Sequence, residues 1–324
     1  MTSPSDIPSV SIIVAAYNTA RYIGECLESI FAQTFHDFEV IVVNDGSPDT
    51  PALERAIEPF HDRIVYFTQE NRGIAAARNV AIRASRGRYI ALLDSDDIWL
   101  PDYLQLLVAA LERDPDVDAI YPDALLFGDH PHAGRTYMDV CPSDGPVTFG
   151  SLVTERCHVQ VSLVMRREAV FSVGLFDESL RSVEDFDLWA RLLGHGARIE
   201  YDRRVLVRFR RRKDSLSADP VWMGEHLMRV LSKLDRTLPL PDTDRRLLRE
   251  RQAYFGAMLE LAKGRRAFFG LDTAAAVAHI ERANEYFKSR RLRLTSAMIR
   301  TTPNLLLKLY DWRNRLRLGV STRY

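Results

Sequence analysis

Short apolar runs alternate with segments of helical length in the N-terminal part of the chain, and this alternation restricts the fold more than any other feature. The runs are rich in β-branched and aromatic residues, as strands are. They lie at residues 9–16, 38–43, 63–67 and 89–93, and the segments of helical length lie between them at 20–33, 50–60 and 72–86. Alternating strands and helices form a parallel sheet with right-handed crossovers. The sequence therefore predicts an α/β fold.

Further elements follow the fourth run. The periodic segment LPDYLQLLVAALERD (100–114) predicts a helix with proline in its first turn. Residues 128–150 are rich in Gly, Pro, Asp and His, and they predict an irregular loop over the sheet. Two strand-like runs, 197–201 and 205–209, come next. We therefore expect the α/β region to end near residue 212.

From about residue 220 the sequence changes to helical segments rich in Leu, Ala and Arg. We predict an α/β domain over residues 1–212 and a C-terminal basic helical region over residues 213–324. Residues 1–202 carry 16 Arg and no Lys against 32 Asp and Glu, a net charge of −16, whereas residues 203–324 have a net charge of +16. The acidic N-terminal part and the basic C-terminal part of the chain are therefore expected to have different electrostatic roles.

The basic helical end has two interpretations. Its helices pack on the α/β domain with solvated arginine faces, or they contact an anionic membrane surface, to which each basic residue contributes about 1 kcal/mol. The segment KSRRLRLTSAMIRTTPNLLLKLYDWRNRLRLG (288–319) mixes many arginines with Leu, Ile, Tyr and Trp. No nucleic-acid-binding motif accompanies the charge, so nucleic acid is not an expected partner.

The composition argues against several other classes of protein. With 46% hydrophobic and 27% charged residues the chain has a soluble globular composition, without the run of about 20 apolar residues that a membrane span needs. It also lacks a basic N-terminal leader. The three cysteines are without metal-type spacing and predict buried thiols, not disulfides or a zinc site. We expect a cytoplasmic protein, peripheral to the inner face of the plasma membrane if its basic end binds lipid.

Polar residues follow each of the four predicted strands. The clusters are Ala16–Asn18, Asn44–Ser47, Gln69–Gly73 and Asp94–Asp97, and the helix after the third strand carries Arg78 and Asn79. Because the carboxyl ends of parallel strands meet at one edge, where α/β sheets bind ligands, we predict one site built from these clusters. Each cluster, taken alone, also has a purely structural explanation. Asn44–Ser47 would be a turn, Arg78 a solvated helix residue, and Asp94–Asp97 a helix cap.

The predicted site contains paired carboxylates but no cysteine or histidine cluster, and this ligand set suits Mg²⁺ or Mn²⁺. Such an ion is held by one or two carboxylates and completed by substrate phosphates. Neither the glycine fingerprint of dinucleotide enzymes after the first strand nor a Walker motif occurs. We therefore expect phosphate to be held by a metal ion and arginine.

Four stretches carry a family resemblance: SIIVAAYN, EVIVVNDGSPD, QENRGIAAARNVAIRASRGRYIALLDSDD and SVEDFDLWARL. In order and spacing they resemble the nucleotide-sugar-dependent family 2 glycosyltransferases of GT-A fold, over about residues 8–212. The resemblance implies an inverting, metal-dependent hexosyltransferase that uses a nucleoside-diphosphate sugar, with a UDP-sugar as the expected donor. It also implies a glycan or lipid-linked acceptor and a role in bacterial polysaccharide or surface-glycan biosynthesis.

The resemblance further implies roles for single residues. Ala16 and Tyr17 would flank the nucleotide base, and Asp45 would hydrogen-bond it. Asp94 would lie near the ribose and sugar and, with Asp96 of the DxD motif, would hold the metal ion. The complete set expected to bind the donor is Ala16, Tyr17, Asn18, Asp45, Asn71, Gly73, Arg78, Asp94, Ser95 and Arg212.

An acidic pair, Glu184-Asp185, opens a periodic helical segment. Such a pair is ordinarily explained by the helix dipole. The family resemblance implies a general base here, and we assign that role to Asp185, with Glu184 second or orienting the acceptor. The base must lie within hydrogen-bond reach of the acceptor hydroxyl, on the face of the sugar opposite the leaving diphosphate.

One position departs from the family pattern. Arg212 stands where many members have a histidine, three residues before Ser215. The histidine can join the metal or diphosphate site, so its replacement puts the full metal shell in question. Arg212 would instead neutralise the leaving diphosphate, or the run from Arg210 to Lys213 would be only a basic surface segment.

The other histidines are less informative. His130, His132 and His158 fit acceptor contact or solvent equally well, and His195 between two glycines predicts a helix end.

Two other functions remain open for the whole chain. A sugar nucleotidyltransferase would also use a nucleotide, a metal ion and carboxylates, but would release pyrophosphate. A catalytically silent nucleotide-sugar-binding module would bind the donor without turnover.

Overall fold

The computed structural model of the protein describes residues 7–212 and 219–306. Ser215 and the part of the basic end that follows Leu306 lie outside the described residues. No helix in the described ranges is long and apolar enough to cross a membrane.

The described chain divides into two compact units. The first contains residues 7–212 and also takes in Val230–Leu248. The second contains Asp219–Arg229 together with residues 249–306.

A mixed sheet is the centre of the first unit. Its strands in chain order are β1 (Val10–Ala16), β2 (Phe38–Asp45), β3 (Val65–Gln69), β4 (Tyr89–Leu92), β5 (Ile98–Trp99), β6 (Ala119–Gly128), β7 (Val164–Arg166) and β8 (Ile199–Arg211). Their order across the sheet is β3-β2-β1-β4-β7-β6-β8-β5. Strands β1 to β4 are parallel to one another, as predicted, whereas β7 is antiparallel to both of its neighbours.

Helices follow the strands of this sheet and then continue to the end of the described chain. They are α1 (Ile23–Phe31), α2 (Thr50–Ile57), α3 (Ile74–Ala84), α4 (Tyr103–Arg113), α5 (Tyr137–Val140), α6 (Phe149–Val153), α7 (Arg167–Ser172), α8 (Glu184–Gly194), α9 (Pro220–Thr237), α10 (Asp242–Phe269), α11 (Thr273–Phe287) and α12 (Arg290–Thr301). A 3-10 helix over Glu58–Arg63 extends α2. The predicted α/β fold with a C-terminal helical appendage is confirmed.

The prediction of two separate strands at 197–201 and 205–209 is wrong, because β8 runs through both. It pairs with β6 along its whole length, and the register shifts where Asp202 and Val205 face Pro122 and Asp123. Arg203 and Arg204 form the resulting bulge and are exposed. Two charged residues interrupt the apolar pattern at the bulge without interrupting the strand.

The predicted loop at 128–150 is irregular for most of its length but contains α5 and the start of α6. Thr136 accepts a hydrogen bond from the Asp139 backbone N–H, and Thr148 does the same for Ser151. Each short helix therefore has its own capping box, a local device that stabilises a single turn.

The sheet brings its carboxyl ends together by direct pairing. Ala16 lies opposite Asn44, and Asp45 lies opposite Gln69. Gly46 has a φ of 62°, and a Cβ atom added there would lie 2.6 Å from the Asn71 backbone nitrogen. Glycine thus permits the close approach of the loops that follow β2 and β3.

The second unit contains the greater part of α10 together with α11 and α12. Its apolar cluster is formed by Phe268, Ala276, Val277, Ile280 and Ile299. Asp272 caps α11 by accepting a hydrogen bond from the Ala275 backbone N–H at 2.9 Å.

Candidate active site

The loop after β1 is tied to the loop after β2. The Asn18 N–H donates to Ser47 Oγ at 2.7 Å, and Asn18 has the left-handed φ of 54° that a sharp turn requires. Ala16 is buried, while the Tyr17 side chain is about half exposed. A cavity of about 440 Å³ opens beside this loop and is lined by Asn18, Ala20, Arg21, Asp49 and Ala52. Tyr17 precedes Asn18 in the chain, and an exposed aromatic ring can stack on a planar base.

Asp45 lies at the end of β2, buried, and holds the loop before α3. Its Oδ1 accepts hydrogen bonds from Gln69 Nε2 at 2.6 Å and the Arg72 N–H at 2.8 Å, and its Oδ2 accepts from the Gly73 N–H at 2.8 Å. Both carboxylate oxygens therefore bind protein groups in this structure. Asp45 fixes the backbone at Arg72 and Gly73, and a bond to a nucleotide base would be added to these contacts.

Arg78 projects from α3 into the protein and is 3% exposed, so its interpretation as a solvated helix residue is wrong. Its Nη2 donates to Asp94 Oδ1 and its Nη1 to Glu184 Oε1, each at 2.7 Å. Its Cζ lies 5.3 Å from the centre of the Phe176 ring. Burial acts to lower the pKa of Arg78, but the charges of Asp94 and Glu184 outweigh it and raise the pKa. One arginine thus joins the end of β4 to the start of α8.

The acidic pair lies at the first turn of α8, as predicted. Burial raises the pKa of Glu184 to about 7, against the opposing charge of Arg78. Burial also raises the pKa of Asp185, which is partly buried and accepts a hydrogen bond from the Phe186 N–H at 2.7 Å. Val183, just before the pair, has a φ of 63°, a rare and strained conformation for a β-branched residue. Two carboxylates with raised pKa, held at a strained turn, are typical of a proton-transfer site.

The three carboxylates after β4 have different surroundings. Asp97 is buried and accepts a hydrogen bond from the Arg210 N–H at 2.7 Å, so it does not cap α4, which Asp102 precedes. Asp96 is partly buried, and its Oδ2 lies 2.9 Å from Arg212 Nε. Burial raises the pKa of Asp96 to about 6, and the charge of Asp94 adds to the effect. Without a positive partner this cluster would therefore lose part of its charge at neutral pH.

Ser95, between these carboxylates, is buried and hydrogen-bonded to Thr19 at an Oγ–Oγ1 distance of 2.9 Å. The contact joins the loop after β4 to the loop after β1. Ser95 therefore holds the site together, and its hydroxyl is already engaged.

The end of β8 supplies arginines to this cluster. Arg210 Nε donates to the Asp96 carbonyl oxygen at 2.8 Å. The Cζ atoms of Arg210 and Arg212 lie 4.4 and 5.4 Å from the centre of the Tyr22 ring. Both side chains are mostly covered, so these two residues are not part of a basic surface run. Lys213, the last residue of that run, lies outside the described residues.

A divalent metal ion fits this cluster as a partial site. No group of three or more His, Cys, Asp or Glu side chains in the described ranges could hold an ion alone. Asp94 and Asp96 offer the oxygen ligands that Mg²⁺ and Mn²⁺ prefer, and donor phosphates complete such sites. Each of the two carboxylates has one oxygen on an arginine, namely Arg78 or Arg212. The cluster thus offers two carboxylates that could hold an ion and a fixed positive charge beside them.

Two residues of the site were missed from the sequence. Tyr137 of α5 is packed edge-on against Phe209 at 5.9 Å, and burial together with the charges of Cys141 and Asp185 raises its pKa. Arg181 lies against Gly73, where its Nη1 is 2.9 Å from the position of an added Cβ, and it also donates to Asn71 Oδ1 at 3.4 Å. No local pattern marks either residue, because both reach the site from segments distant in sequence.

The histidines lie away from these contacts. His195 Nδ1 bonds the Arg191 carbonyl oxygen at 2.8 Å at the end of α8, as predicted. The rings of His130 and His132 are 5.2 Å apart in the loop after β6, and His158 Nδ1 is 3.0 Å from the Pro142 carbonyl oxygen. Neither contact involves the carboxylates of the site.

Comparison with known proteins finds a family model that matches part of the chain, together with similar proteins. Residues 11–135 match the model described as Glycosyl transferase family 2. The chain is 32% identical over 207 residues to a protein of Rickettsia felis named as an uncharacterized glycosyltransferase, covering 63% of this chain and 34% of that protein. It is 40% identical over 116 residues to the chondroitin synthase of Escherichia coli, covering 36% of this chain and 17% of the synthase. The chain therefore spans about a third or less of these two relatives.

Solved structures share the fold. The S. aureus TarS structure (residues 1–349) in complex with UDP-GlcNAc is 17% identical, with a TM-score of 0.62, over 86% of this chain and 91% of that one. The mannosyltransferase PcManGT from Pyrobaculum calidifontis, in complex with GDP-Man and Mn²⁺, is 23% identical, with a TM-score of 0.60, over 96% of this chain and 90% of that one. The resemblance to GT-A glycosyltransferases drawn from the sequence is confirmed.

Proposed function

We propose that this chain, whose residues 11–135 form a glycosyl transferase family 2 domain, transfers a sugar from a nucleoside-diphosphate sugar to an acceptor hydroxyl with inversion at the anomeric carbon. The catalytic domain would comprise residues 1–212, with residues 213–324 as the basic helical region. The observation that carries the proposal is the Arg78 bridge. It joins Asp94, at the DxD motif, to Glu184, next to the proposed base.

Asp185 is the proposed general base. Its carboxylate takes the proton of the acceptor hydroxyl while the acceptor oxygen attacks the anomeric carbon. The bond between that carbon and the diphosphate oxygen breaks, and the nucleoside diphosphate leaves with the electron pair. Because attack comes from the face opposite the leaving group, one displacement inverts the configuration. The raised pKa of Asp185 makes it a better base than an ordinary aspartate.

Glu184 has a different proposed role. Its Oε1 is bound to Arg78, so it holds the first turn of α8 in place and orients the acceptor beside Asp185. Tyr137 is a further candidate for the acceptor side, since the charge of Asp185 contributes to its raised pKa.

The leaving diphosphate would be neutralised by two kinds of positive charge. Asp94 and Asp96 would hold Mn²⁺ or Mg²⁺, which supplies Lewis-acid stabilisation to the diphosphate when bound. Arg212 lies beside Asp96 and would add a guanidinium to the same phosphates. Arg210 keeps the DxD loop in place through its bond to the Asp96 carbonyl oxygen.

The nucleotide would lie across the ends of β1 and β2, with its base beside Ala16 and Tyr17 and against the loop that Asp45 fixes. A UDP-sugar is the proposed donor, and the TarS complex with UDP-GlcNAc supports this choice. The GDP-Man complex of PcManGT shows that this fold accepts another base.

The proposed acceptor is a glycan or a lipid-linked glycan in bacterial polysaccharide synthesis. The similarity to a chondroitin synthase supports that choice, and we propose a cytoplasmic location.

A panel of nucleotide sugars tests the function. Thermal unfolding with each donor, with and without Mn²⁺, identifies the ligand, because a compound that binds only the folded state raises the midpoint. The selected donor is then incubated with glycan acceptors, and the product linkage is read by NMR. The expected result is release of nucleoside diphosphate and an inverted anomeric configuration. Release of pyrophosphate would indicate a nucleotidyltransferase, and donor binding without turnover over the panel would indicate a silent binding module.

A further inference from the structure

Helix α12 has one buried face and one exposed face. Ser296 and Ile299 are buried, and Ile299 belongs to the apolar cluster of the second unit. On the opposite side Leu294 is 65% exposed and Met298 is 37% exposed. Residues four apart lie one above the other on a helix, so these two side chains form a short apolar stripe. Leu305, which is 51% exposed, follows after the end of the helix.

Basic residues surround the start of this stripe. Lys288, Arg290, Arg291 and Arg293 are all exposed, and none of them forms an ion pair with any residue that the structure describes. Arg290 and Arg291 precede Leu294 by four and three residues, so they lie one turn before it, on either side. The stripe is therefore preceded by four cations that have no partner within the described chain.

The acidic groups near this face leave that charge uncompensated. Glu281 of α11 is engaged by Arg300 at 2.6 Å and by the Ser296 hydroxyl at 3.0 Å. Glu285, also on α11, is exposed, and α12 itself contains no acidic residue. Among residues 219–306, Glu285 is therefore the one of these two carboxylates that has no ion pair, against four cations that have none, and the net charge at this end of α12 is positive.

We propose that the exposed face of α12 docks on an anionic membrane surface. Leu294 and Met298 enter the boundary between headgroups and acyl chains, and Lys288, Arg290, Arg291 and Arg293 bind lipid phosphates. Helices that lie in the membrane interface have apolar side chains on one face, with cations beside that face and no acidic residues on it. A soluble protein partner would need a matching acidic and apolar surface, whereas an anionic bilayer supplies both properties together. The proposal goes beyond the transfer reaction and does not depend on it.

Sedimentation of the full chain with vesicles tests the proposal without any donor or acceptor. The probes are vesicles of phosphatidylcholine alone and vesicles containing 30% phosphatidylglycerol. We expect the protein to pellet with the anionic vesicles at low salt and to be released as salt screens the attraction. The double variants Leu294→Glu/Met298→Glu and Arg291→Glu/Arg293→Glu should each weaken binding about tenfold or more.

Two control variants separate a specific face from general effects. Leu271→Glu changes a leucine that is 71% exposed in the turn between α10 and α11, and Arg246→Glu reverses one charge at an exposed position of α10, as each substitution of the arginine pair does. Both should bind anionic vesicles like the unaltered protein, and circular dichroism should show all four variants folded.

Several results would overturn the proposal. They are absence of pelleting by the unaltered protein, equal pelleting with both kinds of vesicle, and equal binding by the face variants and the controls. If the protein instead associates with itself at low salt without lipid, and Leu294→Glu/Met298→Glu abolishes that association, the face is a protein contact and the membrane proposal is wrong.

Discussion

Arg78 and Glu184 are separated by 106 positions in the sequence, yet the Arg78 Nη1 and Glu184 Oε1 atoms are 2.7 Å apart in the folded protein. The same guanidinium binds Asp94, so the donor motif and the helix of the proposed base share one buried cation. A buried arginine with two carboxylate partners is costly to remove, because both carboxylates then remain buried without a counter-charge.

The first prediction concerns this bridge. Arg78→Gln should lower the free energy of unfolding by about 3–5 kcal/mol, the cost typical of breaking a buried ion pair. Arg78→Lys should also be destabilising, because one ammonium group cannot reproduce the fork that reaches both carboxylates. Denaturant unfolding measures the change. Arg83→Gln on the same helix is the matched control, since Arg83 is exposed and pairs with Glu178 alone. Equal effects of Arg78→Gln and Arg83→Gln would contradict the structural role.

The second prediction separates the two residues of the acidic pair. Asp185→Asn keeps the shape of the side chain but cannot take the acceptor's proton, so kcat should fall by roughly 10²- to 10⁴-fold while donor binding changes little. Glu184→Gln should reduce kcat less and raise the acceptor KM, because it loosens the contact with Arg78. Steady-state kinetics with varied acceptor measures both. If Glu184→Gln abolished turnover and Asp185→Asn did not, the roles would be reversed.

The third prediction concerns metal and arginine at Asp96. Asp96→Asn should remove most of the Mn²⁺-dependent part of donor binding, since a neutral amide is a weaker ligand for a hard cation. Arg212→Gln should instead weaken UDP binding measured in excess chelator, by about tenfold if one charge-assisted phosphate contact is lost. Isothermal titration with UDP, with and without Mn²⁺, distinguishes the two effects. If Arg212→Gln leaves the affinity for UDP in chelator unchanged, this arginine does not contact the phosphates.

The fourth prediction concerns pH and stability. Glu184 binds its proton more tightly in the folded state, with a pKa of about 7, than an ordinary glutamate does in the unfolded state. The folded protein therefore holds more protons between about pH 4.5 and 7, and the contribution of Glu184 to stability declines as pH rises through that window. Glu184→Gln should abolish this decline. The melting temperatures of the unaltered protein and the variant are measured from pH 5 to 8. Their difference isolates the effect of Glu184 from that of Asp96. A difference that is constant with pH would contradict it.

The sequence by itself determined the parallel strands β1 to β4 and the edge at which their polar residues gather. Apolar periodicity is a local property, so the runs at 9–16 and 38–43 predicted β1 and β2 closely, and parallel pairing then brought Asn18, Asp45 and Asp94 to one side of the sheet. The resemblance to family 2 glycosyltransferases and the GT-A fold also followed from motifs that are read locally. The catalytic and donor-binding roles of single residues stay predictions.

Tertiary structure alone decided the contacts between distant segments. Four features each join residues that share no local pattern. They are the insertion of β7 between β4 and β6, the burial of Arg78 against Glu184, the contact of Arg212 with Asp96 and the packing of Tyr137 against Phe209. A charged residue looks the same in sequence whether it is solvated or buried against an opposite charge. Only the packing of the surrounding elements removes water from it, and that removal shifts its pKa and gives it a fixed partner.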